Sequence, residues 1–307
     1  TREAYGQALV ELIESEDVVV LDADLAHATK TIEFKKKCPE RFFDMGIAEQ
    51  DMVATAAGFA ASGKIPFVSS FAIFAAGRAF EQIRNSVCYP KLNVKIAATH
   101  AGITVGEDGG THQAVEDISL MRSIPNMVVI SPADAVETMA AIKAITNYDG
   151  PCYVRLGRAA VNVINDENTY EFKLGKGVVL SEGKDVTIIA TGIMVDAAIE
   201  AKDILANEGI NAKVINIHTI KPLDSELIIE SAKETGAIVT AEEHSVIGGL
   251  GSAVAEAVTE KYPVPVLKVG VNDVFGESGK PDELLKAYNL TAQDIVNKVK
   301  DAITLKK

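Results

Sequence analysis

The chain has 307 residues, of which 48% are hydrophobic and 24% charged, and a formal net charge of -13. That length suits about two domains better than a single core. The acidic balance argues against nucleic acid or an anionic membrane as a partner, because phosphate contacts need clustered Lys and Arg. No apolar run approaches the roughly 20 residues of a membrane helix, and the opening stretch TREAYGQALVELIESE reads as an amphipathic helix, not a secretion signal. A cytoplasmic protein is the expectation. Cys38, Cys88 and Cys152 are odd in number and far apart, which suits buried free thiols better than disulfides or zinc.

After the opening helix, the runs DVVVLDAD, KIPFVSSF, NVKIAATH, NMVVISP and PCYVRLG read as buried strands of a parallel sheet. Helical segments lie between them, including AEQDMVATAAGFAASG and AAGRAFEQIRNSV. The polar stretch NVINDENTYEFKLGKG breaks the rhythm and reads as a linker. The alternation resumes with DVTIIATG, a helix from Met194 to Asn207, NAKVINIH, a helix after KPLD, AIVTAEEH, a further helix and VPVLKVGV. The fold class is therefore α/β: two successive open-sheet domains, 1–165 and 178–307, joined by a linker at 166–177.

Ligands of open α/β sheets lie outside the carboxyl ends of the strands. That rule selects Asp22, Asp24, Ser69, Ser70, His100, Arg155 and Arg158 in the first half, and Thr191, His218 and Glu242 to His244 in the second. Two glycine patterns fail. Gly58 to Lys64 resembles a phosphate loop but ends in Ile65 where Ser or Thr is required, and it closes a helix. Gly248, Gly249 and Gly251 miss the dinucleotide spacing and predict a tight turn into a helix, with room for an anion. More informative are Glu49, an acid at the start of an Ala-rich helix, and the loop GITVGEDGGTHQAVED. That loop carries Glu107, Asp108, Thr111 and His112 close after His100. Glycines there let backbone approach a ligand and present polar groups to it.

GIAEQ, the phenylalanines of SSFAIF, GEDGGTHQ, the opening TREAYGQAL and the late HTIKPLD and SGKPDELL resemble transketolase. The resemblance runs along the whole chain and matches the second half of the family's usual longer one: a pyrimidine-binding domain followed by the C-terminal domain. It implies thiamin diphosphate as cofactor, with Glu49 paired to N1′ of its aminopyrimidine. A mostly apolar pocket lets such a carboxyl share a proton. It also implies Phe71 and Phe74 as the aromatic wall of that pocket, although two aromatics three apart are also a common core pair on one helix face. Asp24 would lie beside the cofactor. His100 and His112 would line the substrate channel, with His112 polarising the carbonyl or moving protons. Asp108 would read a sugar hydroxyl, and Arg2 and Arg158 would hold the terminal phosphate.

There are departures from the family pattern. Ala28 stands where many relatives have a phosphate-binding serine, which leaves Thr29, Thr31 or no residue as its substitute. Gly77 replaces a third aromatic, and Gly110 replaces a proline, which should loosen the loop. The GDG of a diphosphate domain is missing from the sequence. Mg2+ and the diphosphate are therefore expected on a partner, an N-terminal transketolase subunit, with two copies of each chain assembling into a heterotetramer. The implied activity is transfer of a two-carbon ketol unit between sugar phosphates in the pentose phosphate pathway. The rival readings are a 1-deoxyxylulose-5-phosphate synthase-like half, a 2-oxoacid dehydrogenase β subunit, and a non-catalytic regulatory subunit.

Overall fold

The computed structural model describes residues 1–306 and contains two sheets. The first half supplies β1 (Val18–Asp22), β2 (Phe42–Asp44), β3 (Ile65–Phe71), β4 (Lys95–Thr99), β5 (Val128–Ile130) and β6 (Cys152–Arg155). The second half supplies β7 (Val178–Ser181), β8 (Val186–Ala190), β9 (Ala212–Asn216), β10 (Thr219–Lys221), β11 (Ile238–Ser245) and β12 (Val266–Val271). The larger sheet runs β10-β5-β6-β4-β3-β1-β2 and the smaller one β12-β11-β8-β9-β7. Pairing is parallel except at one edge of each sheet, where β10 meets β5 and β7 meets β9 antiparallel. No described helix is long and apolar enough to cross a membrane.

The strands are continuous apolar runs because both faces are covered. Val18, Val20, Phe67 and Ala97 face one cluster, under Tyr5 and Leu9 of the helix Arg2–Glu11. Their neighbours Val19, Leu21, Val68 and Ile96 face the opposite cluster, under Met52 and Val53 of the helix Glu49–Ala61. This is the two-residue alternation of a pleated strand buried on both sides. The predicted helix from Met194 to Asn207 is found with those bounds. AAGRAFEQIRNSV, expected to be an ordinary helix, instead falls in two π-helical segments, Ile73–Arg78 and Ile83–Cys88, around the short helix Phe80–Gln82.

The two halves are interlocked. β10 leaves the second half to extend the first sheet, and Lys221 Nζ donates to the carbonyls of Arg122 and Ile124 at 2.8 and 2.6 Å. Residues flagged as strand-end candidates in the second half are consumed at this junction. Thr104 N donates to Glu243 at 2.6 Å, and Ser119 N donates to His244 Nε2 at 3.3 Å. Glu242 accepts from Leu250 N and Gly251 N at 2.7 and 2.8 Å, so the anion at that glycine turn is the chain's own carboxylate. Asp134 likewise ties down the connecting segment by accepting from Ile164 N and Asn165 N, each at 2.8 Å.

Candidate active site

After β2 the chain turns through Gly46, at φ 67°, and enters the helix Glu49–Ala61 with Glu49 as its first residue. Glu49 is 1% exposed. One carboxylate oxygen accepts from Ser70 Oγ at 3.2 Å, and the other pairs with Arg78 Nη1 at 2.7 Å. The expectation of a mostly apolar pocket therefore needs correcting: a cation and a hydroxyl reach this acid from β3 and from the π-helical segment Ile73–Arg78.

Phe71 ends β3 and Phe74 lies in that π-helical segment, so the pair does not share a helix face. Their rings are nearly parallel, with centroids 6.0 Å apart at 14°. His100 stacks on Phe71 at 3.8 Å, and His112 meets Phe74 edge-on at 5.4 Å. Arg78 lies over the Phe74 ring, 4.5 Å from its centroid. Glu49, Phe71, Phe74, His100 and His112 are thus drawn together from three strand ends and the Gly-rich loop.

His100 follows β4 with a left-handed backbone, φ 56°, unusual for a residue with a Cβ. Its Nε2 lies 3.4 Å from Arg2 Nη1 and its Nδ1 lies 2.9 Å from Thr99 Oγ1. An arginine can only donate, so Nε2 accepts and the proton sits on Nδ1. Burial, reinforced by the charges of Arg2 and Arg158, pushes the ring down to about 3, so it is neutral at physiological pH. His112 is more open and its Nδ1 meets Thr111 Oγ1 at 3.0 Å.

Arg2 also donates to the carbonyl of Ala28 at 2.9 Å, while its Nε is buried without an acceptor. Burial lowers its pKa, and nearby Arg158 acts in the same sense. Arg158 bonds the Val105 carbonyl and reaches Glu107 at 3.3 Å and Asp108 at 3.9 Å. Thr29 and Thr31 are not free to hold a phosphate. Both hydroxyls donate to Asp22 Oδ2, at 2.7 and 2.9 Å, inside the core. Burial pushes Asp22 up to about 6 even with these donors. Asp24 is exposed, and its amide donates to Asp44 at 3.2 Å. Arg155 is buried on Asp117 and unavailable.

Gly110 does not loosen its loop. A Cβ there would stand 2.5 Å from the Gly276 carbonyl oxygen, and Gln113 Nε2 donates to the Glu277 carbonyl at 3.0 Å. A segment of the second half therefore clamps the Gly-rich loop. Arg78 was missed by sequence reasoning, although its spacing of four from Phe74 was a signal that the two share a face.

A family model described as the transketolase pyrimidine binding domain matches residues 1–163, and one for the transketolase C-terminal domain matches residues 175–295. The chain belongs to the transketolase family. It is 52% identical over 301 residues to a Methanocaldococcus jannaschii protein named a transketolase C-terminal section, covering 97% of this chain and 94% of that one. It is 49% identical over 296 residues to a 6-deoxy-6-sulfo-D-fructose transketolase subunit of a Clostridium species, covering 96% and 92%. A solved structure titled a split gene transketolase, inactive beta4 tetramer, superposes with a TM-score of 0.92 at 58% identity, over 100% of this chain and 98% of that one. The chain thus corresponds to the C-terminal half of a transketolase, as found in split forms of the enzyme. Membership of the transketolase family implies use of thiamin diphosphate and a divalent metal.

The polar groups fit the pyrimidine side of that cofactor: a buried carboxylate to pair with a ring nitrogen, beside aromatic faces on which the ring can stack. Among the described residues no group of three or more His, Cys, Asp or Glu side chains is placed to hold a metal ion.

Proposed function

We propose that this chain is the pyrimidine-side subunit of a thiamin diphosphate-dependent transketolase. It would move a two-carbon ketol unit from a ketose phosphate to an aldose phosphate with an N-terminal, diphosphate-binding partner chain. The observation that carries this reading is Glu49, a carboxylate 1% exposed at a helix start and linked through Arg78 to Phe74, whose ring meets His112.

When bound, thiamin diphosphate supplies the nucleophilic carbon that breaks and remakes the carbon–carbon bond. The chain's own residues do the rest. Glu49, oriented by Ser70, holds or yields a proton at the ring nitrogen. Phe71 and Phe74 stack the ring and keep water from it. His112, with one ring nitrogen on Thr111, is the group able to exchange a proton with the substrate's oxygen. His100 is neutral and orients Arg2. Arg2 and Arg158 provide the anion site for the substrate's far end, and Asp108, 3.9 Å from Arg158, faces its hydroxyls.

Mg2+ and the diphosphate fall to the partner, and two copies of each chain would complete the assembly. A second reading concerns the substrate alone. The relative named for 6-deoxy-6-sulfo-D-fructose makes a sulfonated ketose a candidate donor, and the same two arginines suit a sulfonate.

The test is ketol transfer from xylulose 5-phosphate to ribose 5-phosphate with thiamin diphosphate and Mg2+. It is run on each chain alone and on their mixture, with a sulfonated ketose in parallel. Activity in the mixture alone, lost in Glu49→Gln, supports the proposal. An assembled mixture inert to both donors overturns it in favour of a regulatory subunit or a synthase-like half.

A further inference from the structure

Arg78 makes two contacts at once. Its Nη1 donates to Glu49 at 2.7 Å, and its guanidinium carbon lies 4.5 Å from the Phe74 ring centroid. A guanidinium is planar, cationic and a hydrogen-bond donor in its own plane. A protonated aminopyrimidine has the same three properties, and on the reading above it needs the same two partners, the Glu49 carboxylate and the Phe74 face.

We propose that Arg78 is an internal stand-in for the cofactor's aminopyrimidine, occupying the ring's place against Glu49 and Phe74, so that it must swing out before the cofactor seats. This inference rests on the reading of Glu49 as the ring's partner. The local structure suits such a movement. The Arg78 side chain is 45% exposed while Glu49 is 1% exposed, so the arginine can rotate into water and leave the acid in place. Ser70 Oγ still holds the other carboxylate oxygen at 3.2 Å, which preserves its direction. Arg78 also closes the π-helical segment Ile73–Arg78, a geometry that often marks functional sites. The consequence is a closed half-site. While the latch is shut, Glu49 has a counter-charge and the Phe74 face is covered, and any ligand ring competes with a group tethered a few ångströms away.

The experiment is calorimetric titration of thiamin diphosphate, at saturating Mg2+, into the complex of this chain with an N-terminal transketolase subunit. Arg78→Ala should lower the cofactor's Kd about five- to tenfold and speed its association, because nothing has to be displaced. An equal melting temperature of parent and variant excludes a folding effect. An unchanged or raised Kd in Arg78→Ala overturns the stand-in and makes Arg78 a support for Glu49. Glu49→Gln in the Arg78→Ala background separates the two ideas. Weaker binding there upholds Glu49 as the ring's partner whatever Arg78 does. Unchanged binding withdraws that reading, and the stand-in with it.

Discussion

Arg155 donates from Nε to both carboxylate oxygens of Asp117, at 3.1 and 2.9 Å, with side chains 6% and 1% exposed. The same guanidinium reaches the Glu243 carbonyl at 2.8 Å, and Tyr153 OH donates to Asp117 at 2.8 Å. The buried ion pair ties β6 to the helix Asp117–Ser123, and the same guanidinium's hydrogen bond to the Glu243 carbonyl carries the link to β11, across the two halves. Removing one partner strands the other charge in the interior, which costs about 3–5 kcal/mol. Asp117→Ala should lower the urea unfolding free energy by that amount. Asp24→Asn, which neutralises an exposed carboxylate and keeps a side chain suited to its left-handed backbone at φ 60°, should change it by less than about 0.5 kcal/mol. Equal effects would mean that Asp117 carries no special weight at the junction.

His218 provides a pH dependence with a defined sign. It is 1% exposed and its Nε2 has no partner. Burial pushes its pKa down from 6.5 to about 4. Between those values the unfolded chain holds the proton and the folded chain does not, so falling pH costs about 1.4 kcal/mol per unit. Above pH 7 the penalty is absent. Burial pushes Asp22, Glu137 and Glu243 upward instead, so the whole protein mixes both signs. The difference between His218→Leu and its parent isolates the histidine. It should be flat above pH 7 and move in the variant's favour by about 3 kcal/mol as pH falls to 4. A difference flat throughout would show that the folded ring protonates normally.

How much of this was legible depends on whether the information is local. Strands such as VVVLD announce themselves because burial on both faces demands an unbroken apolar run. Met194–Asn207 shows a helical period because one face alone is buried. The three residues of β10 carry no period, and their pairing with β5 is decided by a sheet built elsewhere in the chain. Thr29 and Thr31 read as free hydroxyls until folding places Asp22 beneath them. Arg78 reads as a solvated arginine: its spacing from Phe74 hints at a shared face, but its pairing with Glu49 is set only by the fold. Glu49, Phe74, His100 and His112 were singled out through motif context, and their mutual distances lay outside any sequence reading.

The clamp on the Gly-rich loop predicts a kinetic effect with little loss of stability. Gly110→Ala places a Cβ 2.5 Å from the Gly276 carbonyl oxygen, a backbone atom that cannot yield without moving its segment. The loop should shift, carrying Asp108 and His112 away from the cluster. A misplacement of about 1 Å costs up to a hundredfold in rate, so kcat/KM for ketol transfer should fall ten- to a hundredfold. The melting temperature should drop by only a few degrees. Unchanged kinetics would show that the second half does not position this loop.

On the proposed reading, Arg158 would be shared between substrate and protein. Its guanidinium reaches Glu107 at 3.3 Å, where the acid is 64% exposed, so the pair is screened and weak. An anionic substrate end would have to compete with that carboxylate, whereas Arg2 bonds the Ala28 carbonyl and His100 and pairs with no carboxylate among the described residues. Glu107→Gln should therefore lower KM for a phosphorylated ketose about two- to fivefold with kcat nearly unchanged, because it removes a competitor and leaves the reacting carbons alone. Arg2→Ala should raise KM at least tenfold, since it removes the better-prepared donor. The check is a pair of Michaelis curves at low and high salt. The Glu107 effect should shrink with ionic strength, as an exposed pair requires. If Glu107→Gln raises KM instead, the carboxylate holds Arg158 in its binding position and the competition argued here is wrong.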